Sequence, residues 1–134
     1  MKVNELMLGD WVMFRDTPYT ITTITSRDTV MVAESEETKF YKVGSLMPIP
    51  LTEELLKING FDLISADYSD KSPYYIAHYQ IALRPYHNFS LTCFGKSIYV
   101  DLLDGKAEVM YVHYLQHHLR LAGLYDLANN FKIK

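Results

Sequence analysis

Apolar and polar side chains alternate most clearly between Tyr74 and Arg84. Tyr75, Ala77, Tyr79, Ile81 and Leu83 fall on one side, and Tyr74, His78, Gln80 and Arg84 on the other. A period of two marks a strand with one buried face. The alternation resumes in Phe89, Leu91 and Cys93 and again in Ile98, Val100 and Leu102, followed by Ala107 to Tyr111. Pro85 to Asn88, Phe94-Gly95-Lys96 and Asp104-Gly105 stand between these runs as turns. Together they predict an antiparallel sheet with one face on a core.

The first third repeats the signal in shorter pieces. Leu6 to Phe14 is expected to begin with a glycine turn and run into a strand, with further strands at Tyr19 to Thr25, Thr29 to Ala33 and Lys39 to Val43, and Arg15 to Pro18, Ser26 to Asp28 and Glu34 to Glu37 as turns or loops. Four short strands this close together predict a β meander or small open barrel of Src-homology-3-like kind. Around His113 the period lengthens to about 3.6. Leu115, Leu119 and Ala122 form an apolar stripe expected to pack on Tyr79, Ile81, Leu91 and Val100 of the second sheet. His113, His117 and Arg120, with Gln116 at the edge, fall on the other side, expected to face water. A short helix or turn follows, then a last strand at Phe131 to Ile133.

Between the halves lies Met47-Pro48-Ile49-Pro50-Leu51-Thr52-Glu53-Glu54-Leu55-Leu56-Lys57-Ile58-Asn59-Gly60-Phe61. The prolines should keep regular elements from crossing them. Thr52 reads as an N-cap with Glu53 and Glu54 in the first turn, and Leu51 and Leu56 have the spacing of a hydrophobic staple. Gly60 suits the left-handed position after the helix, with Phe61 folding back on Leu56. The chain is therefore expected to be α+β. Residues 1–46 are expected to form a β subdomain, 47–61 a linker with a short capped helix, and 62–134 an antiparallel sheet with one packed helix, all within one compact unit with Leu55, Leu56 and Ile58 against both halves.

At 134 residues a chain buries roughly 68% of its unfolded surface, enough for stability without metals or disulfides. Cys93 is the only cysteine, the first residues lack a leader-like apolar run, and no stretch approaches the ~18 apolar residues of a span. A cytoplasmic protein without a membrane partner is expected. The net charge of −3 is spread evenly, at 5 Lys/Arg against 7 Asp/Glu in residues 1–50 and 8 against 9 in the rest. Without a basic cluster to neutralise phosphates, a nucleic-acid partner is less favoured than a protein or a second copy of the chain.

Candidate chemistry is sparse. His113-x-x-x-His117 places two imidazoles one helical turn apart, a spacing that can grip one Zn²⁺, with His78 or His87 as third ligand. Tyr114 follows His113, so the glutamate of the zinc-protease motif is missing. This pair carries a metal-dependent hydrolase reading. Tyr74, Tyr99 and Tyr114 are the tyrosines best placed on a surface for a partner. Cys93 is in phase with Phe89 and Leu91 and reads as an inert core thiol. Phosphate-loop, dinucleotide and nucleophile-elbow motifs are absent, so no cofactor or catalytic residue is assigned. The leading reading is a non-enzymatic protein-interaction or accessory module, with a small nucleic-acid-binding accessory protein second.

Three blocks add a resemblance: Leu8-Gly9-Asp10-Trp11-Val12, Ile49-Pro50-Leu51-Thr52-Glu53-Glu54 with Gly60-Phe61, and Tyr111-Val112-His113-x-Leu115-Gln116. They resemble a family of short uncharacterised proteins of Bacteroidetes bacteria found near phage or mobile-element genes. Leu55 stands where that family commonly has Trp, and of the histidines only His113 belongs to its block. The resemblance implies that the chain is one fold and adds no function.

Overall fold

Among the described residues, the pattern of short alternating runs folds into two five-stranded antiparallel sheets with three short α-helices, an α+β arrangement. The structure is a computed structural model that describes residues 1, 5–25, 29–34, 37–67, 75–84 and 87–134. The chain divides into two compact units, Met1–Pro50 with Tyr111–Asn129, and Leu51–Met110 with Asn130–Lys134. The crossing at Pro50 falls inside the expected linker. The return of 111–129 to the first unit had no counterpart in the sequence reading.

In the first unit, β1 (Trp11–Phe14), β2 (Thr17–Ile24), β3 (Thr29–Glu34), β4 (Glu37–Lys42) and β5 (Leu46–Pro48) pair in the order β4-β3-β2-β1-β5. Among the described residues no pairing closes this sheet into a barrel. Two expectations about proline need correction. Pro18, expected in a turn, lies in β2 opposite Met13, and the β1–β2 turn is Arg15-Asp16, with Arg15 left-handed at φ 54°. A strand also runs up to Pro48, because β5 lies at the sheet's edge, where a missing N–H removes no ladder bond. The core is Leu6, Val12, Tyr19, Ile21, Val30, Val43 and Leu46, with Phe14 and Tyr41 stacked at its margin at 4.0 Å.

Helix α1 (Glu53–Ile58) opens the second unit as its sequence prescribes. Thr52 Oγ1 accepts from the Leu55 amide at 3.3 Å, and Leu51 and Leu56 are both buried. At the other end Gly60, at φ 86°, donates to Lys57 O, and Phe61 donates to Leu56 O, the paired closure that a left-handed glycine permits. Ile58, expected to be packed, is 42% exposed, leaving Leu56 as the helix's fully buried side chain.

Strands β6 (Asp62–Asp67), β7 (Ile76–Arg84), β8 (His87–Phe94), β9 (Ser97–Leu102) and β10 (Gly105–Glu108) follow in sequence order. Ala77, Tyr79, Leu91, Cys93, Ile98 and Val100 are buried, as the alternation predicts. His87 and Asn88 join β8 instead of breaking the chain. The last hairpin turns on Leu103-Asp104, with Gly105 already paired to Leu102, one residue earlier than Asp104-Gly105 implies.

Phe131 to Ile133 is not a strand. Lys132 is instead held like a strand partner by the Asn59 side chain: its N–H donates to Oδ1 at 2.7 Å and its carbonyl accepts from Nδ2 at 2.9 Å. Nδ2 also donates to Leu55 O. Asn59→Ala leaves both Lys132 groups without those partners and should lower stability by about 2 kcal/mol in urea unfolding. Asn59→Asp keeps the acceptor for the Lys132 amide but turns a carboxylate oxygen toward Leu55 O and Lys132 O, so it should lose at least as much; a loss under about 0.5 kcal/mol for Asn59→Ala would show that these bonds contribute little. Among the described residues, no helix is long and apolar enough to cross a membrane.

Candidate functional site

Helix α2 (Val112–Leu121) groups with α3 (Tyr125–Asn129) in the first unit, whereas the sequence places it in one segment with the second sheet. Leu115 and Leu119 are fully buried as expected, whereas Ala122 is exposed and serves as the C-cap, with Gly123 at φ 81° beyond it. The larger correction concerns the polar side. His113, Gln116 and Arg120 are buried too, so the face expected in water is packed inside the unit.

Its partner is the turn that leads into β1. The Met7 amide donates to Asp10 Oδ2 at 2.8 Å and the Asp10 amide to Met7 O, a turn of the kind Asp forms with its own backbone. Gly9 lies at φ 87° and donates to Ile21 O at 2.7 Å. A Cβ there would stand 3.0 Å from Asn129 Oδ1 and 3.1 Å from Arg120 Nη2, so both conformation and space select glycine. Gln116 then takes the place of a missing strand. Its Oε1 accepts from the Trp11 amide at 2.9 Å, while Nε2 donates to Gly9 O at 2.9 Å and Ala128 O at 2.8 Å.

The Asp10 carboxylate, fully buried, accepts from Arg120 Nη1 at 2.6 Å and meets His117 Nε2 at 2.7 Å. One helical turn earlier, His113 is 1% exposed and neither ring nitrogen has a hydrogen-bond partner. Its ring lies 4.4 Å from Tyr114, 5.7 Å from His117 and 6.1 Å, nearly parallel, from Tyr111. Burial pushes the His113 pKa down to about 4, against the pull of Asp10, and burial with the nearby His117 also lowers that of His118. The arrangement makes His117 an anchored partner of Asp10 and His113 a neutral ring in an aromatic stack. Among the described residues, no group of three or more His, Cys, Asp or Glu is placed to hold a metal ion.

Of the tyrosines assigned to a surface, Tyr114 is half-buried edge-on against Tyr111 at 5.4 Å. Tyr99 is half-buried on β9, opposite Thr92 and Glu108. Tyr74 and the His87 side chain lie outside the described residues. Around Tyr99 the solvent face of the second sheet carries a polar network that sequence reasoning missed. Thr92 Oγ1, 5% exposed in its residue, donates to Asp101, accepts from Lys106 Nζ at 3.1 Å and meets His78 Nδ1 at 3.2 Å. Lys106 pairs with Asp101 as well. The only sequence signal was that all four occupy one face of neighbouring strands.

The opposite face holds a cleft of about 260 Å³ in the second unit, lined by Leu51, Thr52, Glu53, Cys93, Gly95, Lys96 and Ile98. Glu53 Oε1 accepts from both Tyr75 and Tyr79 hydroxyls, at 2.9 and 2.7 Å. Burial, and then that hydrogen bond, raise the Tyr79 pKa. Burial, with Glu53 nearby, pushes the Cys93 thiol up to about 12, so it stays a neutral thiol at physiological pH. No family model, curated protein or solved structure matches this chain at a significant level.

Proposed function

We propose that this protein is a non-enzymatic interaction module that takes up an extended segment of a protein partner along β6. One observation carries the reading. Among the described residues β6 is an outermost strand of the second sheet, and its Leu63 and Ile64 are 42% and 59% exposed. An open edge presents backbone donors and acceptors to another chain, and large apolar side chains beside it add the pocket contacts that strand addition uses. A bulge inserts Ile64 between Leu63, opposite Tyr79, and Ser65, opposite His78, which sets the two apolar residues side by side against β7.

The polar clusters support binding over turnover. The carboxylates of Asp10 and Asp101 are engaged by neighbouring cations and hydroxyls, and the Cys93 thiol is protonated. We also infer an Src-homology-3-like relationship for the first unit from its order β4-β3-β2-β1-β5, with a short helical turn at Val43–Ser45 before the last strand returns to the first. A cytoplasmic accessory role near mobile elements belongs to the same proposal, on the strength of the resemblance in three blocks.

The test compares wild type with Ile64→Lys, a charge of the kind that natural edges use to refuse pairing. Both should be monomeric by size exclusion with light scattering and melt alike. Wild type should capture a partner from its own host's lysate that the variant loses. Identical captures would overturn the reading, and a dimer abolished by Ile64→Lys would replace the partner by a second copy.

A further inference from the structure

The cleft beside α1 is not used by the β6 edge, and its chemistry is specific enough to name a ligand class. We propose that it binds a free α-amino acid with a short apolar side chain. Its floor is Leu51, Cys93 and Ile98, all buried. With its thiol protonated, Cys93 behaves there as a small hydrophobe. Apolar walls with a few fixed polar groups are the general form of small-molecule sites.

The polar groups are one of each sign. Glu53 supplies a carboxylate whose orientation is set by two phenols on a single oxygen. Lys96 supplies an exposed ammonium in the turn between β8 and β9. Tyr75 ties these walls together, because its hydroxyl holds Glu53 while its carbonyl accepts from the Gly95 amide at 2.7 Å. A carboxylate and an ammonium on the lining of one cleft with an apolar floor match the ammonium, carboxylate and aliphatic side chain of an amino acid. The fixed Glu53 carboxylate removes part of the ordering cost of binding. A volume of about 260 Å³ lies at or below the lower end of the range for drug-sized ligands, which limits the occupant to a small molecule. A single rim cation suits one carboxylate better than a polyphosphate.

The test is an amide-resonance titration of the full chain with L-leucine, with isovalerate and isopentylamine as ligands that lack one charge each. Leucine should shift the Gly95 and Lys96 amides saturably, and each half-ligand should bind about tenfold more weakly, the effect of losing one charge-assisted hydrogen bond. Glu53→Gln, which keeps an acceptor for the phenols, should weaken leucine by about tenfold or more. Lys96→Ala, on an exposed turn, should weaken it with no change in melting temperature. Absence of a saturable shift with leucine overturns the proposal, as does leucine binding unchanged in Lys96→Ala or half-ligands that bind as well as leucine. Ile64→Lys should leave the titration as it is, which separates this site from the β6 edge.

Discussion

Replacing Asp10 by alanine should lower the stability of the first unit by about 3–5 kcal/mol, the range for removing one member of a buried ion pair. The carboxylate is fully buried and serves three groups: Arg120 Nη1, His117 Nε2 and the Met7 amide. Arg120 is itself 7% exposed, and its Nη2 has no partner, so losing Asp10 would strand a buried cation. Trp11, the only tryptophan, follows Asp10 in the chain and reports on this unit by fluorescence during urea unfolding. A loss under about 1 kcal/mol would place the pair in the weak surface class and contradict the geometry. Asp10→Leu combined with Arg120→Met should recover most of the loss, because apolar replacement of both members leaves no unpaired charge.

The elements governed by local physics were readable in the sequence. A threonine before two glutamates and a glycine before a phenylalanine closed α1 at both ends, and alternation placed Tyr79, Leu91 and Val100 inside. Helix α2 shows why the rest was not. Periodicity divides a helix into faces, and polarity then assigns the polar face to water unless something buried awaits it. What awaited it was a turn 107 residues upstream, where Gly9 and Trp11 present backbone groups to Gln116. Asp is common in turns, and nothing local to Asp10 distinguishes a solvated carboxylate from the anchor of a buried arginine. The segment around Gly9-Asp10-Trp11 and the first turns of α2 are thus the two sides of one contact.

A similar limit applied to the second unit. The sequence placed Tyr75 and Tyr79 on the core face, where burial was the expected role. Both rings are there, but their hydroxyls converge on Glu53, a residue the sequence assigned only to the start of a helix. Capping explains why Glu53 is tolerated in the first turn. The two phenols fix where its carboxylate sits, and that pairing joins positions 22 and 26 residues apart.

Acid should unfold the first unit earlier than its carboxylates alone require, and His113 should be the cause. In the folded protein the ring titrates at about 4, because burial disfavours the charged form more than Asp10 and Glu5 favour it. Unfolded, it titrates near 6.5. Between those values the unfolded chain holds a proton that the folded chain does not, so stability rises with pH across this window and falls as pH drops from about 6.5 to about 4. Below about 4 both states are protonated and the contribution is flat. A difference of about 2.5 pKa units corresponds to about 3 kcal/mol across the whole window. His113→Phe keeps a ring between Tyr111, Tyr114 and His117 and has nothing to protonate. Urea unfolding followed at Trp11 should show wild type losing about 2–3 kcal/mol more than His113→Phe between about pH 7 and about pH 4.5. It should also show the variant at least as stable at neutral pH, since it no longer buries two unpaired ring nitrogens. Parallel pH profiles for the two proteins would mean that His113 reaches water or a hydrogen-bond partner in solution, and the aromatic stack around it would have to open.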